Sequence, residues 1–399
     1  MEPKEILHDL SFLNNKEYSY NIKLTTSIDQ YLNKTNKECI NQFEIIEYLG
    51  RGLMWKAYKV KAYFYDKNKE ICSEIMVLRK SHIRTLINMR YYIKDTEFNY
   101  FNNVLEEIAI HNILHNNFEV VRMYEVLYNP SNNIEYKDEN QYIYTITEFC
   151  DYGPLMIKNF DDCNYYYNYN VMKYYALNVY KEYKYLFDTE YNNNFQIITE
   201  SQINNDDANK TTYIKDILNE NISCKLPYNF LRLVYKDIFL KIVLSLKLIH
   251  SHNIVYSDLK PENIIFTSLT NNNNNNSLKE IYPKIIDFSI STRLDNSQSL
   301  VCNIGGTTCF QAPEQFDSFY NGFKSDIWSF GILSYLFLTT QLPLDSESDL
   351  DIQIKILKGH IEYPSYVDNK ILYILKNILT NDISKRLNID NIIEEIKNL

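Results

Sequence analysis

The sequence predicts an α+β protein with two parts, a small antiparallel sheet with one main helix and then a larger, mostly helical region. Two observations predict the first part. Runs rich in β-branched and aromatic residues alternate with polar turns up to residue 149, and residues 103–114 have the apolar spacing of a helix. A third observation predicts the second part, because strongly apolar helical patterns prevail from residue 227 onward.

Length, charge and cysteine spacing limit the classes of function. The chain has 399 residues, 45% of them hydrophobic, which is enough to bury a full core. Its net charge of -10 argues against a broad basic surface, so we expect no nucleic-acid partner and no membrane partner. No apolar run approaches the length of a membrane span. Seven scattered cysteines without zinc-site spacing favour reduced thiols in the cytoplasm, with the nucleus as the alternative.

The small lobe is expected to span residues 42–149, after a polar N-terminal extension at residues 1–41. Its predicted elements are apolar runs bounded by turn residues. They are strands at 43–49, 56–65, 71–78, 120–127 and 141–149 and the helix at 103–114. Gly50 and Gly52 follow the first strand, and glycines there allow backbone N–H groups to approach a phosphate closely.

The larger lobe is expected to span residues 227–399, after a low-complexity insertion at residues 157–226. The insertion is rich in Tyr and Asn and has no clear period, so we expect it to be partly disordered and non-catalytic, with a helix near 171–186. An asparagine tract at 271–276 is predicted to be a surface loop. Helices are predicted at 231–250, 324–340, 351–359, 370–379 and 388–397.

Two segments in this lobe carry a chemical signature. Residues 254–266 read IVYSDLKPENIIF, and residues 284–290 read KIIDFSI. The first resembles the catalytic loop of the protein kinase superfamily, [HY]-R-D-x-K-x-x-N, and the second resembles its D-F-G segment. Lys260 with Pro261 beside it is typical of the serine/threonine type. The resemblance covers residues 43–399 and implies the bilobal protein kinase fold, ATP and Mg²⁺ as cofactors, and a protein substrate.

The resemblance assigns a role to each residue of the transfer site. Asp258 would orient the substrate hydroxyl and accept its proton, and Lys260 would neutralise the transferred phosphoryl group. Asn263 and Asp287 would hold Mg²⁺. Thr307, in the segment GTTCFQAPE, would bond to Asp258 and Lys260.

Other residues would support that site. By the same resemblance, Glu314 would pair with Arg386, and Asp326 would brace the catalytic loop from a central helix. Tyr256 stands where the family usually has histidine, and Ser257 replaces the arginine that clamps an activation-loop phosphate. Activation by such a phosphate is therefore not expected.

The nucleotide pocket departs further from the family. Leu49, Gly50, Gly52 and Ala57 correspond to residues that line it, but Trp55 falls where the third glycine would be. The hinge is assigned to residues 148–153. Just before it, Thr147 would be the gatekeeper, and the backbone of Glu148 and Cys150 would face adenine. ATP is expected in the cleft between the lobes.

The phosphate-binding lysine of the third strand is not obvious. The favoured alignment puts Met76 at the lysine position and Glu74 at the small residue that contacts adenine. A register shifted by four residues would use Lys80, and a lysine of the second strand, Lys59, is a further alternative. Glu107 is the expected partner of whichever lysine serves.

Three stretches are most similar to the calcium/calmodulin-dependent protein kinase kinase group. They are EEIAIHNILHNNFEVVRMYEVL, GPLM and NIGGTTCFQAPE. That group phosphorylates other kinases, so another kinase is the candidate substrate. Calmodulin is not expected as a partner, because residues 81–102 lack the group's Pro/Arg-rich insert and the chain ends shortly after its last helix.

Two functions remain open at this stage. Asp258, Lys260, Asn263 and Asp287 favour an active serine/threonine kinase. The unusual nucleotide pocket favours a pseudokinase that acts as a binding scaffold. A small-molecule phosphotransferase of related fold is disfavoured by Thr307 and the A-P-E segment.

Overall fold

In a computed structural model of the chain, the structure describes residues 43–65, 71–93, 96–128, 142–159, 164–175, 228–269, 280–302, 305–317, 319–346 and 348–399. These residues divide into two compact units with the boundary between Phe149 and Cys150. The first unit is mainly antiparallel sheet and the second is mainly helical, so the predicted α+β class is confirmed. The N-terminal extension and the asparagine tract lie outside the described residues.

The described part of the first unit contains a five-stranded antiparallel sheet, a short hairpin of two strands, and two helices. In chain order the elements are β1 (Phe43–Arg51), β2 (Lys56–Tyr65), β3 (Ile71–His82), α1 (Ile83–Asn88), β4 (Arg90–Ile93), β5 (Thr96–Asn99), α2 (Tyr100–Ile113), β6 (Met123–Tyr128) and β7 (Tyr142–Glu148). The strand order in the sheet is β1-β2-β3-β7-β6.

The two faces of this sheet carry different side chains. Because side chains alternate along a strand, Met76 and Leu78 of β3 point to one face, together with Val60 of β2 and Ile146 of β7. These side chains form a buried apolar cluster. Val77 and Arg79 belong to the other face.

The described part of the second unit contains short strands and five helices of nine or more residues. In chain order they are β8 (Gly153–Pro154), β9 (Met156–Lys158), β10 (Tyr165–Tyr167), α3 (Tyr228–Ser251), β11 (Ile254–Val255), β12 (Ile264–Leu269), β13 (Glu280–Ile285), β14 (Thr292–Arg293), α4 (Gly322–Thr339), α5 (Asp349–Lys358), α6 (Asn369–Ile378) and α7 (Ile389–Lys397). None of the helices among the described residues is long and apolar enough to cross a lipid bilayer.

The helix α4 forms the core of the second unit. It is buried on nearly all sides, and a helix that is apolar all round belongs in a protein interior. Phe239 of α3 stacks on Tyr235 with ring centroids 4.4 Å apart and meets Phe330 and Phe337 of α4 at 5.6 and 5.2 Å. This packing fixes α4 as the support of the loops around it.

Part of the predicted insertion, residues 157–159 and 164–175, lies among the described residues and contains core side chains. Tyr165 and Tyr167 are buried in the β9–β10 hairpin, and the hydroxyl of Tyr167 donates to the carbonyl of Phe337, 2.5 Å away. Tyr175, also buried, donates to Asp237 of α3. The sequence did not predict these core residues, because a tyrosine-rich composition is also typical of exposed low-complexity sequence. Residues 176–227 lie outside the described part of the chain.

A buried ion pair links two distant segments of the second unit. Arg386 donates from Nη1 and Nη2 to the two carboxylate oxygens of Glu314, at 2.5 and 3.0 Å. Arg386 also donates to the carbonyls of Lys324 and Thr380. Both side chains are almost fully buried, 0% and 3% exposed. The expected pairing of these two residues is thus present.

We predict that Arg386→Met lowers the free energy of unfolding by about 3–5 kcal/mol, because it leaves the Glu314 carboxylate buried without its partner. Urea unfolding would measure the loss. The matched control is Lys247→Met, which breaks an ion pair with Asp390 whose side chains are 50% and 66% exposed. That change should cost less than about 1 kcal/mol. Equal losses in the two variants would contradict the prediction.

Candidate active site

The catalytic loop follows β11 and ends in a 3-10 helix, Pro261–Asn263, that leads into β12. Ser257 has a φ of 71°, which is unusual for a residue with a side chain. The carboxylate of Asp326 holds this backbone by accepting from the N–H groups of Tyr256 and Ser257, at 2.8 and 2.7 Å. Nε2 of His250 lies 2.8 Å from the same carboxylate. This arrangement matches the expected bracing role of Asp326.

The Asp258 carboxylate is the centre of a hydrogen-bond network. Its Oδ2 accepts from Nζ of Lys260 at 2.6 Å and from Nδ2 of Asn263 at 3.0 Å. Its Oδ1 accepts from the backbone N–H and the hydroxyl of Thr307, at 3.2 and 3.1 Å. Lys260 also donates to the Thr307 hydroxyl at 3.0 Å. The structure therefore brings four of the predicted site residues together.

The approach of Thr307 to this network depends on the residue before it. Gly306 has a φ of +102°, and a Cβ atom at this position would lie 2.7 Å from the carbonyl oxygen of Ser257. Only glycine fits there. Two buried side chains, Gln311 and Gln315, donate to the carbonyl of Gly305, at 2.8 and 3.4 Å. Uncharged amides thus hold Gly305 in place. Ser257, which Gly306 approaches, likewise carries no positive charge that could bind a phosphate group.

Asn263 and Asp287 lie at the same end of one hairpin. Asn263 precedes β12, Asp287 follows β13, and Ile264 pairs with Ile285. Asp287 has a φ of 62°, and its Oδ1 accepts from the N–H of Ser289. One carboxylate and one amide oxygen suit Mg²⁺, which binds through few protein oxygens and completes its shell with phosphate and water. This donor set fits the implied metal.

Tyr256 replaces the usual histidine and retains a packing role. Its hydroxyl donates to the carbonyl of Ile286 at 2.5 Å, and its ring meets Phe288 edge-on with centroids 5.3 Å apart. Burial raises the pKa of Tyr256 well above its ordinary value. Tyr256 therefore stays a neutral hydrogen-bond donor beside the acidic residues.

In the first unit, Glu107 pairs with an arginine that the sequence analysis did not consider. The carboxylate of Glu107 is fully buried on α2, and its Oε1 accepts from Nη1 of Arg79 at 2.7 Å. Arg79 also donates from Nε to the hydroxyl of Thr145 at 3.0 Å. In the β2–β3 ladder Arg79 lies opposite Ala57. The cation next to the helix glutamate is thus Arg79.

The favoured alignment put Met76 at the lysine position and the alternative used Lys80, and neither alignment identifies the cation that pairs with Glu107. Both are even-numbered residues of β3 and point to the face opposite Arg79. Met76 is buried in the apolar cluster, and Nζ of Lys80 lies 3.6 Å from the ring centroid of Tyr142. Lys59 lies over the ring of Phe149. The sequence offers Arg79 and Lys80 as adjacent cations of β3, and only the strand register decides between them.

The observed register of β3 also changes which residue falls at the position that contacts adenine in the family. Val77, two positions before Arg79, lies opposite the buried Thr147 of β7. Glu74, expected at the small-residue position, is instead exposed and pairs across from Ala62. The N–H of Glu148 donates to the carbonyl of Arg122 at 2.9 Å. The expectation that the backbone of Glu148 and Cys150 faces adenine stays a prediction. Cys150 belongs to the second unit, where its side chain is buried.

The glycine-containing loop differs from the expectation because Trp55 is buried. Leu49 is 44% exposed, and Gly50 has a φ of +143° opposite Ala57. Gly52 is exposed, but Trp55 is only 7% exposed. The indole N–H of Trp55 donates to Oε2 of Glu107 at 3.1 Å. The sequence marked Trp55 as bulky but gave no sign of this contact.

His111 is a buried titratable residue next to this ion pair. Its Nε2 lies 4.0 Å from Oε1 of Glu107, and its side chain is 2% exposed. Burial, followed by the positive charge of Arg79, lowers the pKa of His111 to about 3 from 6.5. The imidazole is therefore neutral in the folded protein at physiological pH.

We predict that this histidine makes the protein sensitive to acid. Below pH 6.5 the unfolded chain binds a proton at His111 that the folded protein binds only near pH 3, so stability falls as pH decreases through this window. The slope should be up to about 1.4 kcal/mol per pH unit. His111→Gln should remove this slope, whereas His252→Gln, at an exposed histidine, should leave it unchanged. Urea unfolding at several pH values measures both.

The family model that matches the chain lies within the second unit. The family model of the protein kinase domain matches residues 190–396, just over half of the 399-residue chain. Calcium-dependent protein kinase 6 of Plasmodium berghei is 30% identical over 165 residues, 41% of this chain and 10% of that protein. Protein kinase kin1 of Schizosaccharomyces pombe is 32% identical over 150 residues, 37% of this chain and 16% of that protein.

A third relative is the catalytic subunit of the cAMP-dependent protein kinase of Schizosaccharomyces pombe. It is 32% identical over 146 residues, which are 37% of this chain and 26% of that protein. The chain thus spans from a tenth to about a quarter of the length of these relatives. The family match, together with the arrangement of Asp258, Lys260, Asn263 and Thr307, shows that the chain belongs to the eukaryotic protein kinase superfamily.

Proposed function

We propose that the chain is a serine/threonine protein kinase that transfers the γ-phosphate of ATP to a hydroxyl group of a protein. The network around Asp258 is the observation that carries this proposal. Phosphoryl transfer needs positioned charges more than covalent help, and this network holds an acid, a cation and a hydroxyl within hydrogen-bond distance of one another.

Each side chain of the network has a distinct task in this mechanism. The carboxylate of Asp258 orients the acceptor hydroxyl and takes its proton as the new bond to phosphorus forms. Lys260 holds its ammonium group between Asp258 and Thr307, where it can neutralise charge on the transferred group. Thr307 fixes the orientation of the Asp258 carboxylate through two hydrogen bonds.

ATP and Mg²⁺ are the cofactors that this mechanism requires. Asn263 and Asp287 would hold the metal, which neutralises phosphate charge when it is bound. Arg79 would supply the cation on β3, held by Glu107 and Thr145. Arginine is always charged and binds phosphate through a planar fork, so it can replace a lysine in this task.

The first test is phosphate transfer from γ-labelled ATP with magnesium and a generic basic protein as the acceptor. We predict that Asp258→Asn lowers turnover by about 10²–10⁴-fold, since it removes the general base. The exposed residue Asp295 offers a matched control, and Asp295→Asn should retain wild-type turnover. Incorporation that is the same in Asp258→Asn and wild type would reject the proposal.

A second test separates Arg79 from Lys80. We predict that the double change Arg79→Met with Glu107→Gln lowers ATP-dependent turnover about ten-fold or more, because the phosphates lose a cation. Changing both partners avoids leaving the Glu107 charge buried alone. Lys80→Met should leave turnover within about two-fold of wild type, because its ammonium group lies over Tyr142. A loss confined to Lys80→Met would reject the assignment.

We further propose that the acceptor is a hydroxyl on another kinase and that the reaction takes place in the cytoplasm. The similarity of the GPLM and GTTCFQAPE stretches to kinases that act on kinases supports this acceptor. None of the three relatives described above is a kinase of that group by name. Transfer to an activation-segment peptide that exceeds transfer to a generic basic protein would support the acceptor class, and the reverse would reject it.

A pseudokinase scaffold is the second candidate function. The burial of Trp55 against Glu107 favours it, because the loop that would cover the phosphates is packed into its own unit. The transfer assay separates the two candidates. Folded wild-type protein that incorporates no phosphate above the Asp258→Asn variant would favour the scaffold.

A further inference from the structure

The tip of the glycine-containing loop is packed down onto β3 and α2. Met54 and Trp55 are 8% and 7% exposed, and they belong to an apolar cluster with Leu86, Phe101 and Ile108. The hydroxyl of Ser81 donates to the carbonyl of Met54 at 2.5 Å. The N–H of Gly52 donates to the carbonyl of Trp55 at 2.9 Å and closes the turn. The loop is thus fastened to its own unit.

The side chain of Trp55 joins this loop to the Arg79–Glu107 ion pair. Its indole N–H donates to Oε2 of Glu107, the oxygen that does not receive the 2.7 Å bond from Arg79. Its ring faces the guanidinium of Arg79 at 4.9 Å. A cation over an indole face is a favourable contact, and it is strongest when water is excluded. Trp55 therefore covers both partners of the pair.

One nitrogen of the Arg79 guanidinium, Nη2, is buried and has no hydrogen-bond acceptor among the described residues. Nε donates to Thr145 and Nη1 donates to Glu107. A buried N–H group without a partner is costly, so such groups call for an explanation. The other two contacts already fix the direction of the guanidinium, and Nη2 is the atom that remains for an anionic ligand.

We propose that Trp55 is a latch that controls the access of a nucleotide's phosphate chain to Arg79. This inference rests on the proposed use of ATP. In the latched form the indole occupies the face of Arg79 and one oxygen of Glu107. Binding of the phosphates requires the indole to leave, and a phosphate oxygen then accepts from Nη2. Because only the unlatched fraction binds, the latch lowers the apparent affinity for nucleotide.

The test measures binding of Mg-ATP to the full-length chain by calorimetry in the Asp258→Asn background, so that turnover plays no part. Trp55→Gly should bind about ten-fold more tightly than the parent, because it removes the whole latch. Trp55→Phe keeps an apolar ring but lacks the N–H donor, and it should bind about two- to five-fold more tightly. Tyr366→Gly, at a loop residue of the second unit that is 56% exposed, adds similar chain freedom outside the glycine-containing loop and should leave affinity unchanged.

A second measurement keeps the inference testable if Trp55→Gly does not fold. The chain has two tryptophans, Trp55 and the fully buried Trp328. Saturating Mg-ATP should shift the tryptophan emission of the parent protein to the red, because the Trp55 indole leaves its buried site. Trp55→Phe should show no shift.

The outcomes separate this inference from the proposed function. Binding that is equal or weaker in folded Trp55→Gly and Trp55→Phe overturns the latch, as does nucleotide binding without an emission shift. Tighter binding in these variants, without phosphate transfer by the chain with Asp258 intact, supports the latch and rejects the kinase function. No nucleotide binding by any folded variant overturns both.

Discussion

The buried carboxylate of Asp326 is the interaction on which the catalytic geometry depends. A charge in the interior is tolerated only when hydrogen-bond donors satisfy it, and here the donors are backbone N–H groups of the catalytic loop together with His250. The loop must therefore follow the position of α4. Ser257 consequently adopts a positive φ, and its carbonyl lies where only Gly306 can pass. Thr307 then reaches Asp258.

A second buried carboxylate organises the first unit in the same manner. Glu107 is fully enclosed on α2, and Arg79 and Trp55 supply its donors from β3 and from the loop after β1. Satisfying one charge thus ties a helix, a strand and a loop together. The consequence for function is a trade-off. The contacts that stabilise Glu107 also cover Arg79, the cation that we propose binds the phosphates of a nucleotide.

The two sites differ in how far the sequence predicted them. Asp258, Lys260 and Asn263 lie within six residues of one another, so their spacing is a local property that a motif preserves. The cation of β3 is not local. Its identity depends on which β3 residue lies opposite Ala57, and a one-residue change of register moves every side chain to the other face of the sheet. The alignments that placed Met76 or Lys80 at the lysine position therefore missed Arg79.

The sequence by itself determined the α+β class and the catalytic loop, because periodicity and motif spacing are encoded along the chain, and its resemblance to a known family indicated the pairing of Glu314 with Arg386. Tertiary structure alone decided that Arg79 meets Glu107, that Trp55 is buried beside them and that Tyr165 and Tyr167 are core residues. These outcomes depend on strand register and on which surfaces exclude water. Strand register and the exclusion of water are both set by contacts between residues far apart in sequence. The identity of a tyrosine or a tryptophan does not by itself indicate whether the residue lies in a core or in a loop.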